Sequence, residues 1–176
     1  QALSAAAQTV PSDRPVHSLH AYFLRPGQVD KPIVYTVDPI RNGQSFTTRR
    51  VVAIQGGRPI FNLAASFQVE EEGFEHSDEA PEAPDPEGLP SQEELVRAHT
   101  ERLPPALRAM ATADRPIEIR PVDPVDPLRP QVRPAHRLAW FKAVDRLPDV
   151  DSVHRYLLAY ASDFNLLTSA LLPHGV

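Results

Sequence analysis

The sequence of 176 residues contains no cysteine, and this absence excludes several classes of site at once. Without thiols the chain can form no disulfide framework, no thiolate-ligated zinc site and no cysteine nucleophile. A chain without cysteine is typical of a reducing compartment, so we expect the cytoplasm. No hydrophobic run is long enough to cross a bilayer, and residues 1–7 lack the basic start and continuous apolar core of a signal peptide.

Basic residues are outnumbered by acidic ones, 18 to 23, which gives a formal net charge of -5. This balance argues against nonspecific nucleic-acid binding, although a local basic patch could still bind an anionic ligand. With 41% hydrophobic residues, the chain is able to bury a core, and its length suits one ordinary domain or two small ones.

Two short motifs fail as catalytic or metal sites. Ser45 follows Gly43, but Thr47 stands where the nucleophile elbow of a serine hydrolase needs its second glycine. His17 and His20 are three residues apart, and residues at that spacing on a strand point to opposite faces of a sheet, so we predict that they bind no metal ion.

Residues 16–69 predict an antiparallel sheet. Asn42-Gly43 and Gly56-Gly57 tolerate positive φ angles and predict two tight type I′ hairpin turns. In the last strand apolar and more polar residues alternate, so one face should be buried. The four expected strands are 16–24, 33–40, about 44–55 and 59–69.

Other segments complete the layout. An Ala-rich stretch, 2–10, predicts the last turns of a helix, and the acidic, proline-rich stretch 70–87 predicts a linker. A capping box at 91–94 begins a helix that should continue through 95–103 and end at Pro104. Two further strands, 117–122 and 137–144, precede a long helix that Asp149 or Asp151 could cap and that ends near residue 172. We therefore predict a first unit at 1–70, a linker with a helix at 71–112 and a second unit at 113–176.

Asp163 is the strongest candidate for chemistry. Val153, Leu157, Tyr160, Phe164, Leu167 and Leu171 recur at steps of four and three, the spacing of one buried face of a helix, and Asp163 borders that face. A carboxylate there should be well partnered or have a raised pKa, and a raised pKa suits a general base. The alternative is a purely structural role, in which the Asp163 carboxylate is hydrogen-bonded to a tyrosine or a backbone group.

Several separated segments of the chain resemble the acyl-CoA thioesterase II family, in the order in which that family has them. They are VHSLHAYFLRPG at 16–27, SFTTRRV at 45–51, FEH at 74–76, DRP at 114–116, and YASD at 160–163 continuing to PHG at 173–175. The resemblance implies an α+β double hotdog fold, in which antiparallel sheets wrap around central helices. Measured against the family, the chain is expected to lack the start of the first hotdog unit and the C-terminal strands of the second.

The family resemblance also implies a reaction. In these enzymes a water molecule attacks the thioester of a fatty acyl-CoA. An Asp on the second unit's helix holds and activates that water together with a Thr and a Gln from later strands. Asp163 matches that Asp, whereas no residue of this chain is assigned the other two roles. The resemblance implies an acyl-CoA substrate, no cofactor and a homo-oligomer, either a dimer or a tetramer.

Four arginines are candidates for contacts to the phosphates of CoA: Arg25, Arg49, Arg50 and Arg155. Each could equally be a solvated surface charge, and Arg49 and Arg50 must point to opposite faces of their strand. Two other functions stay open. One is a noncatalytic acyl-CoA-binding or assembly module, and the other is a hotdog dehydratase, although neither His17 nor His20 lies in the context that such an enzyme requires.

Overall fold

The computed structural model describes residues 1–100, 108, 113, 115–126, 129–164 and 166–175. Its contacts divide the chain into two compact units, each built from two segments. The first unit contains Gln1–His76 with Asp151–Tyr156, and the second contains Ser77–Val150 with Leu157–Val176. The boundaries predicted from sequence at residues 70 and 112 stay a prediction.

The first unit is built on the antiparallel four-stranded sheet that the sequence predicts. Its strand order is β1-β4-β3-β2, so both hairpin partners of β3 lie beside it and β1 pairs with β4 at one edge. The elements of this unit are helix α1 (Ala2–Ala7) and the strands β1 (Val16–Phe23), β2 (Val34–Asn42), β3 (Phe46–Gln55) and β4 (Arg58–Gln68).

The core of the first unit lies between one face of this sheet and α1. In β4 the predicted alternation is confirmed, because Leu63, Ala65 and Phe67 are buried. Helix α1 packs mainly on β3 and buries Leu3 and Ala6. The small side chains of this Ala-rich helix allow its close approach to the sheet.

One of the two predicted hairpin turns is confirmed and the other is wrong. Gly56 and Gly57 have φ angles of 55° and 74°, and they join Gln55 directly to Arg58, which is a two-residue turn with positive φ. At the other hairpin β2 continues to Asn42, and Gly43 is not among the glycines with positive φ.

The physical need for glycine at position 43 is space. A Cβ atom there would lie 2.8 Å from the carbonyl oxygen of Phe46. The backbone N–H of Gly43 donates to that same oxygen across a connection of residues 43–45, and Arg14 Nη1 donates to the Gly43 carbonyl oxygen at 2.7 Å. The glycine is therefore required by close backbone approach and not by a left-handed conformation.

A β-bulge changes the expected direction of a histidine. The register of β1 against β4 shifts between Val16 and Ser18, and the bulged His17 contacts Ser66 Oγ through Nε2 at 2.8 Å. His20 pairs with Ala64, which lies on the same face of β4 as Ser66. The argument that His17 and His20 face opposite ways is therefore wrong, because the extra residue resets the alternation. In the described ranges no group of three or more His, Asp or Glu side chains is placed to hold a metal ion.

The acidic segment, residues 70–85, has no regular structure, and the division between the two units falls within it, after His76. A 3₁₀ turn (Pro86–Gly88) leads to α2 (Gln92–His99), whose capping box is confirmed: the Ser91 hydroxyl accepts from the N–H of Glu94, and the Glu94 carboxylate accepts from the N–H of Ser91. These hydrogen bonds lower the pKa of Glu94. The predicted end of the helix at Pro104 lies outside the described residues.

The two strands of the second unit are those predicted, but each is shorter. They are β5 (Ile117–Pro121) and β6 (Ala139–Ala143), and they pair antiparallel. Arg120 fastens the end of the linker to this hairpin, since its Nη1 donates to the carbonyl oxygens of Leu89 at 2.6 Å and Pro86 at 3.1 Å. On the same strand Arg120 Nε donates to Glu118 Oε1 at 2.7 Å.

The prediction of one long C-terminal helix is wrong, because the structure contains two shorter helices separated by a turn. Helix α3 (Asp151–Ala161) ends at a turn, α4 (Leu166–Leu171) follows, and a 3₁₀ turn (Leu172–His174) leads to Gly175 at φ 61°. No side chain caps α3 at its start, although Asp151 lies in its first turn. Among the described residues no helix has both the length and the apolarity needed to cross a membrane.

The Gly56-Gly57 turn provides the first test of the fold. We expect Gly57→Ala to lower the free energy of unfolding by about 1 kcal/mol, because a Cβ atom is disfavoured at positive φ. Gly73→Ala is the control, since Gly73 lies in the exposed linker without positive φ and with open space around it. Urea denaturation followed by far-UV circular dichroism measures both, and equal stabilities would contradict the assigned turn.

The Glu118–Arg120 pair provides a pH test. The hydrogen bond from Arg120 lowers the pKa of Glu118, so this pair stabilises the fold fully above the unfolded-state pKa of about 4.3, and the contribution is lost as the pH falls through the lower folded-state value. Wild type should therefore lose more stability than Glu118→Gln as the pH is lowered below about 4.3. Glu79→Gln in the exposed linker is the control, and parallel pH profiles for wild type and Glu118→Gln would refute the pair's contribution.

Candidate active site

Asp163 lies in the turn between α3 and α4 and not within a helix. The turn is closed by two backbone hydrogen bonds, from the N–H of Ser162 to the Leu158 carbonyl oxygen and from the N–H of Phe164 to the Ala161 carbonyl oxygen. Asp163 itself is exposed, so the predicted placement beside a buried helical face is wrong. The cause is the break in the helix, which interrupts the three- and four-residue spacing after Ala161.

The carboxylate of Asp163 has no protein partner within the described part of the chain, where no hydrogen bond or ion pair to it is formed. Both of its oxygen atoms are therefore available as acceptors. An aromatic group adjoins the turn: the rings of Tyr160 and Phe164 meet edge to face at 5.0 Å, and Phe141 of β6 approaches Phe164 at 6.4 Å.

The apolar side chains around this turn are largely exposed, contrary to the buried face that their spacing predicts. Leu167 is 76% exposed and Tyr160 is 54% exposed. Apolar side chains exposed in such number are typical of a surface that another segment, a partner or a ligand covers. The full set of large exposed side chains on α3, the turn and α4 is Leu158, Tyr160, Leu166, Leu167 and Leu171.

Arg49 is buried and structural, so the expectation that it is a solvated charge is wrong. It is 2% exposed, and all three of its guanidinium nitrogens donate within the protein. Nε and Nη2 bind Thr9 through the hydroxyl and the carbonyl oxygen, Nη2 also binds Asn42 Oδ1, and Nη1 binds the carbonyl oxygens of Arg41 and Thr48. No donor is left for a phosphate, and Arg49 is not a substrate-binding residue in this conformation.

The other three candidate arginines bind different partners, and two of them lie far apart. Arg50 is exposed on the opposite sheet face and pairs with Asp38 at 2.7 Å, as the strand alternation predicts. Arg25 donates to the Pro59 carbonyl oxygen beyond the end of β1, whereas Arg155 pairs with Asp151 and donates to the Val16 carbonyl oxygen at the start of β1. The length of β1, about 23 Å at roughly 3.3 Å per residue, separates Arg25 from Arg155, so these two cannot share one phosphate group.

Sequence reasoning missed a basic cavity in the second unit. It has a volume of about 300 Å³ and lies against the connection between β5 and β6. Arg133, His136 and Arg137 line it together with one acidic residue, Asp123. The signal was present in the sequence, since these three basic residues fall within five positions of a chain whose net charge is negative.

Two protein-family models match the chain. The model described as the acyl-CoA thioesterase N-terminal domain matches residues 1–68, and the model described as acyl-CoA thioesterase matches residues 106–176. The two matches cover the sheet of the first unit and the segment that carries Asp163.

Individual proteins are similar across nearly the whole chain. Acyl-CoA thioesterase 2 of Haemophilus influenzae is 40% identical over 99% of this chain and 61% of its own length. Acyl-coenzyme A thioesterase 8 of Homo sapiens is 39% identical over 99% of this chain and 57% of its own length. The chain thus spans about 60% of the length of these relatives.

Solved structures show the same fold. An acyl-CoA thioesterase II of Mycobacterium marinum superposes with a TM-score of 0.74 at 37% identity, covering 99% of this chain and 60% of that chain. A hot dog fold protein of Alicyclobacillus acidocaldarius superposes with a TM-score of 0.64 at 19% identity, covering 97% of this chain and 58% of that chain, and it bears on the fold only. The predicted α+β hotdog fold is confirmed.

Substitution of each of the two neighbouring arginines of β3, Arg49 and Arg50, tests which of them stabilises the fold. We expect Arg49→Ala to lower the free energy of unfolding by about 3 kcal/mol or more, because several buried acceptors lose a charge-assisted donor. Arg50→Ala is the matched control on the same strand and should cost under about 1 kcal/mol, since its ion pair is exposed. Similar losses in the two variants, measured by urea denaturation, would contradict this assignment.

Proposed function

We propose that this chain, which belongs to the acyl-CoA thioesterase II family, hydrolyses fatty acyl-CoA thioesters to free fatty acid and CoA, with Asp163 activating the attacking water. The relatives are named acyl-CoA thioesterases, and the chain matches them over 99% of its length. Because it spans 61% and 57% of theirs, the proposal concerns the activity of the complete protein.

The observation that carries the proposal is the state of the Asp163 carboxylate. It is ionisable, has no partner among the described residues and lies beside exposed leucines and the Tyr160–Phe164 pair. An acyl chain packed on these apolar groups would lower the local dielectric around the carboxylate and place a thioester close to it. Asp163 would then accept a hydrogen bond from water in the orientation needed for attack.

The reaction needs little from the protein beyond that orientation. Water attacks the thioester carbonyl carbon, its proton passes to the Asp163 carboxylate, and the tetrahedral intermediate expels the CoA thiolate. A thiol has a pKa of about 8.5, so the thiolate leaves readily with little acid assistance. Hydrogen-bond donors for the developing oxyanion are also required, and in the family a Thr and a Gln contribute to the site. No residue of this chain is assigned those roles.

Two further expectations belong to the proposal. The family resemblance favours a homo-oligomer of two or four subunits. In the described part of the chain, β1 and β2 are the edge strands of the sheet, and a strand of another chain could pair with them. The absence of cysteine favours a cytoplasmic location.

Removing the charge of Asp163 tests the proposal. We expect Asp163→Asn in the complete protein to lower kcat for a fatty acyl-CoA by about 100-fold or more, because the amide cannot accept the proton from water. Release of CoA thiol is followed with a chromogenic disulfide. Asp145→Asn is the control, since Asp145 is an exposed carboxylate in the connection after β6, and it should retain full turnover.

A noncatalytic acyl-CoA-binding module is the second candidate, favoured by the exposure of Asp163 to solvent. In that case wild-type protein would bind a fatty acyl-CoA without releasing thiol. Full turnover by Asp163→Asn would instead leave the hydrolase in place and refute the role of this carboxylate.

A further inference from the structure

We propose that the basic cavity of the second unit binds phosphate groups and, if the proposed function holds, that its ligand is the phosphate-bearing nucleotide of CoA. The cavity is formed by residues 122–125 and 133–138 of the connection between β5 and β6, together with the 3₁₀ turn after α4. Its lining residues are Val122, Asp123, Val125, Arg133, Pro134, His136, Arg137, Leu138 and Leu172.

The charge of the lining favours an anion. The lining contains two arginines, Arg133 and Arg137, but one carboxylate, that of Asp123, and the His136 ring adds a further nitrogen donor. Asp123 is paired with Arg133 Nη1 at 2.9 Å, which leaves Arg137 as a cation without a carboxylate partner in the described ranges. In a chain of net charge -5, such a site concentrates positive charge in one concave place.

Both guanidinium groups keep donors available. Arg137 uses Nη1 to bind Thr168 Oγ1 at 2.7 Å, and Arg133 uses Nη1 for Asp123 and, at 3.5 Å, for the Pro124 carbonyl oxygen. The Nε and Nη2 groups of both arginines have no acceptor among the described residues. Planar guanidinium groups with free donors match the oxygen geometry of phosphate, and such charge-assisted hydrogen bonds are stronger than neutral ones.

The cavity is fixed by backbone contacts. The N–H of Val122 donates to the Leu138 carbonyl oxygen at 2.9 Å, and the N–H of Arg133 donates to the Leu172 carbonyl oxygen at 3.0 Å. Gly175, at φ 61°, lies so close that a Cβ atom there would be 3.2 Å from Val132 Cγ2. Pro124, Pro130 and Pro134 restrict the backbone further at their positions, so the basic side chains project from a constrained frame.

The cavity also contacts the helix that follows the candidate carboxylate in sequence. Arg137 binds Thr168 on α4, the helix that follows the turn carrying Asp163. A volume of about 300 Å³ is at the lower end of small-molecule sites, so the cavity suits the phosphate-bearing part of a ligand and leaves the acyl chain to the exposed apolar groups.

The test measures binding and not turnover. Titration calorimetry on the complete protein would compare CoA, dephospho-CoA, pantetheine and inorganic phosphate, using wild type, Arg137→Gln, His136→Gln and Arg137→Lys. Arg146→Gln is the control, because Arg146 is exposed and outside the cavity. We expect Arg137→Gln to weaken CoA binding by about 10-fold or more, His136→Gln to weaken it less, and Arg137→Lys to restore part of the affinity. Pantetheine binding should not change.

Three results would overturn the proposal or one of its parts. Unchanged CoA affinity in both Arg137→Gln and His136→Gln would exclude the cavity as a CoA phosphate site. Weaker binding of inorganic phosphate with unchanged CoA binding would identify a site for free phosphate and refute the CoA assignment. If Arg137→Gln weakens the binding of CoA and pantetheine equally and lowers the unfolding midpoint, its effect is structural. The proposal then stands only if His136→Gln lowers the affinity for CoA selectively, since the His136 ring has no partner among the described residues.

The inference and the proposed function fail separately. If Arg137→Gln weakens CoA binding while Asp163→Asn keeps full turnover, the phosphate site stands and the role of the carboxylate falls. If Asp163→Asn abolishes turnover while neither cavity variant changes CoA affinity, the opposite holds.

Discussion

The guanidinium of Arg49 lies between helix α1 and the connection from β2 to β3, with all of its nitrogens bound to neutral oxygens of the first unit. A buried cation is destabilising unless each donor finds an acceptor. Here Thr9, just after α1, and Asn42, at the end of β2, supply acceptors from two elements that are far apart in sequence. The position of α1 on the sheet and the shape of the connection therefore depend on the same group. Arg14 adds a second link by binding the Gly43 carbonyl oxygen and Thr47 Oγ1.

Local patterns predicted the sheet well because a strand's alternation and a tight turn are set by neighbouring residues. The strand β4 and the Gly56-Gly57 turn follow directly from the alternation and from the tolerance of glycine for positive φ. The errors occurred where distant groups decide the outcome. Gly43 is placed by the Phe46 carbonyl oxygen and by Arg14, and the side chain of His17 is redirected by a bulge against β4. Hydropathy carries no record of either contact.

The candidate site shows the same limit more strongly. The helical spacing around Asp163 was read as one buried helix, but a turn interrupts it and the apolar side chains are exposed. The motif that carries the family resemblance pointed to Asp163 but could not supply its surroundings. The sequence did not predict that Arg133 and Arg137 line one cavity, because that cavity forms only when the segment carrying them folds against the 3₁₀ turn at Leu172. Four separate arginines were considered instead, and the structure does not bring them together.

The physical account of function has two parts that meet on one helix. The Asp163 carboxylate, which has no partner among the described residues, precedes α4 among apolar side chains, and Arg137 of the basic cavity binds Thr168 on α4. A thioester whose acyl chain packs on the first and whose phosphates enter the second would be held at both ends. Such two-point binding orients the scissile bond, which is the main requirement of a reaction that uses water as the nucleophile.

A crystal structure of the complete protein with a nonhydrolysable thioether analogue of a fatty acyl-CoA tests this account most directly. We expect the thioether sulfur to lie beside the Asp163 carboxylate, with an ordered water about 2.6–3.2 Å from one of its oxygens. An analogue bound with its sulfur remote from Asp163, and with that carboxylate in bulk solvent, would contradict the account.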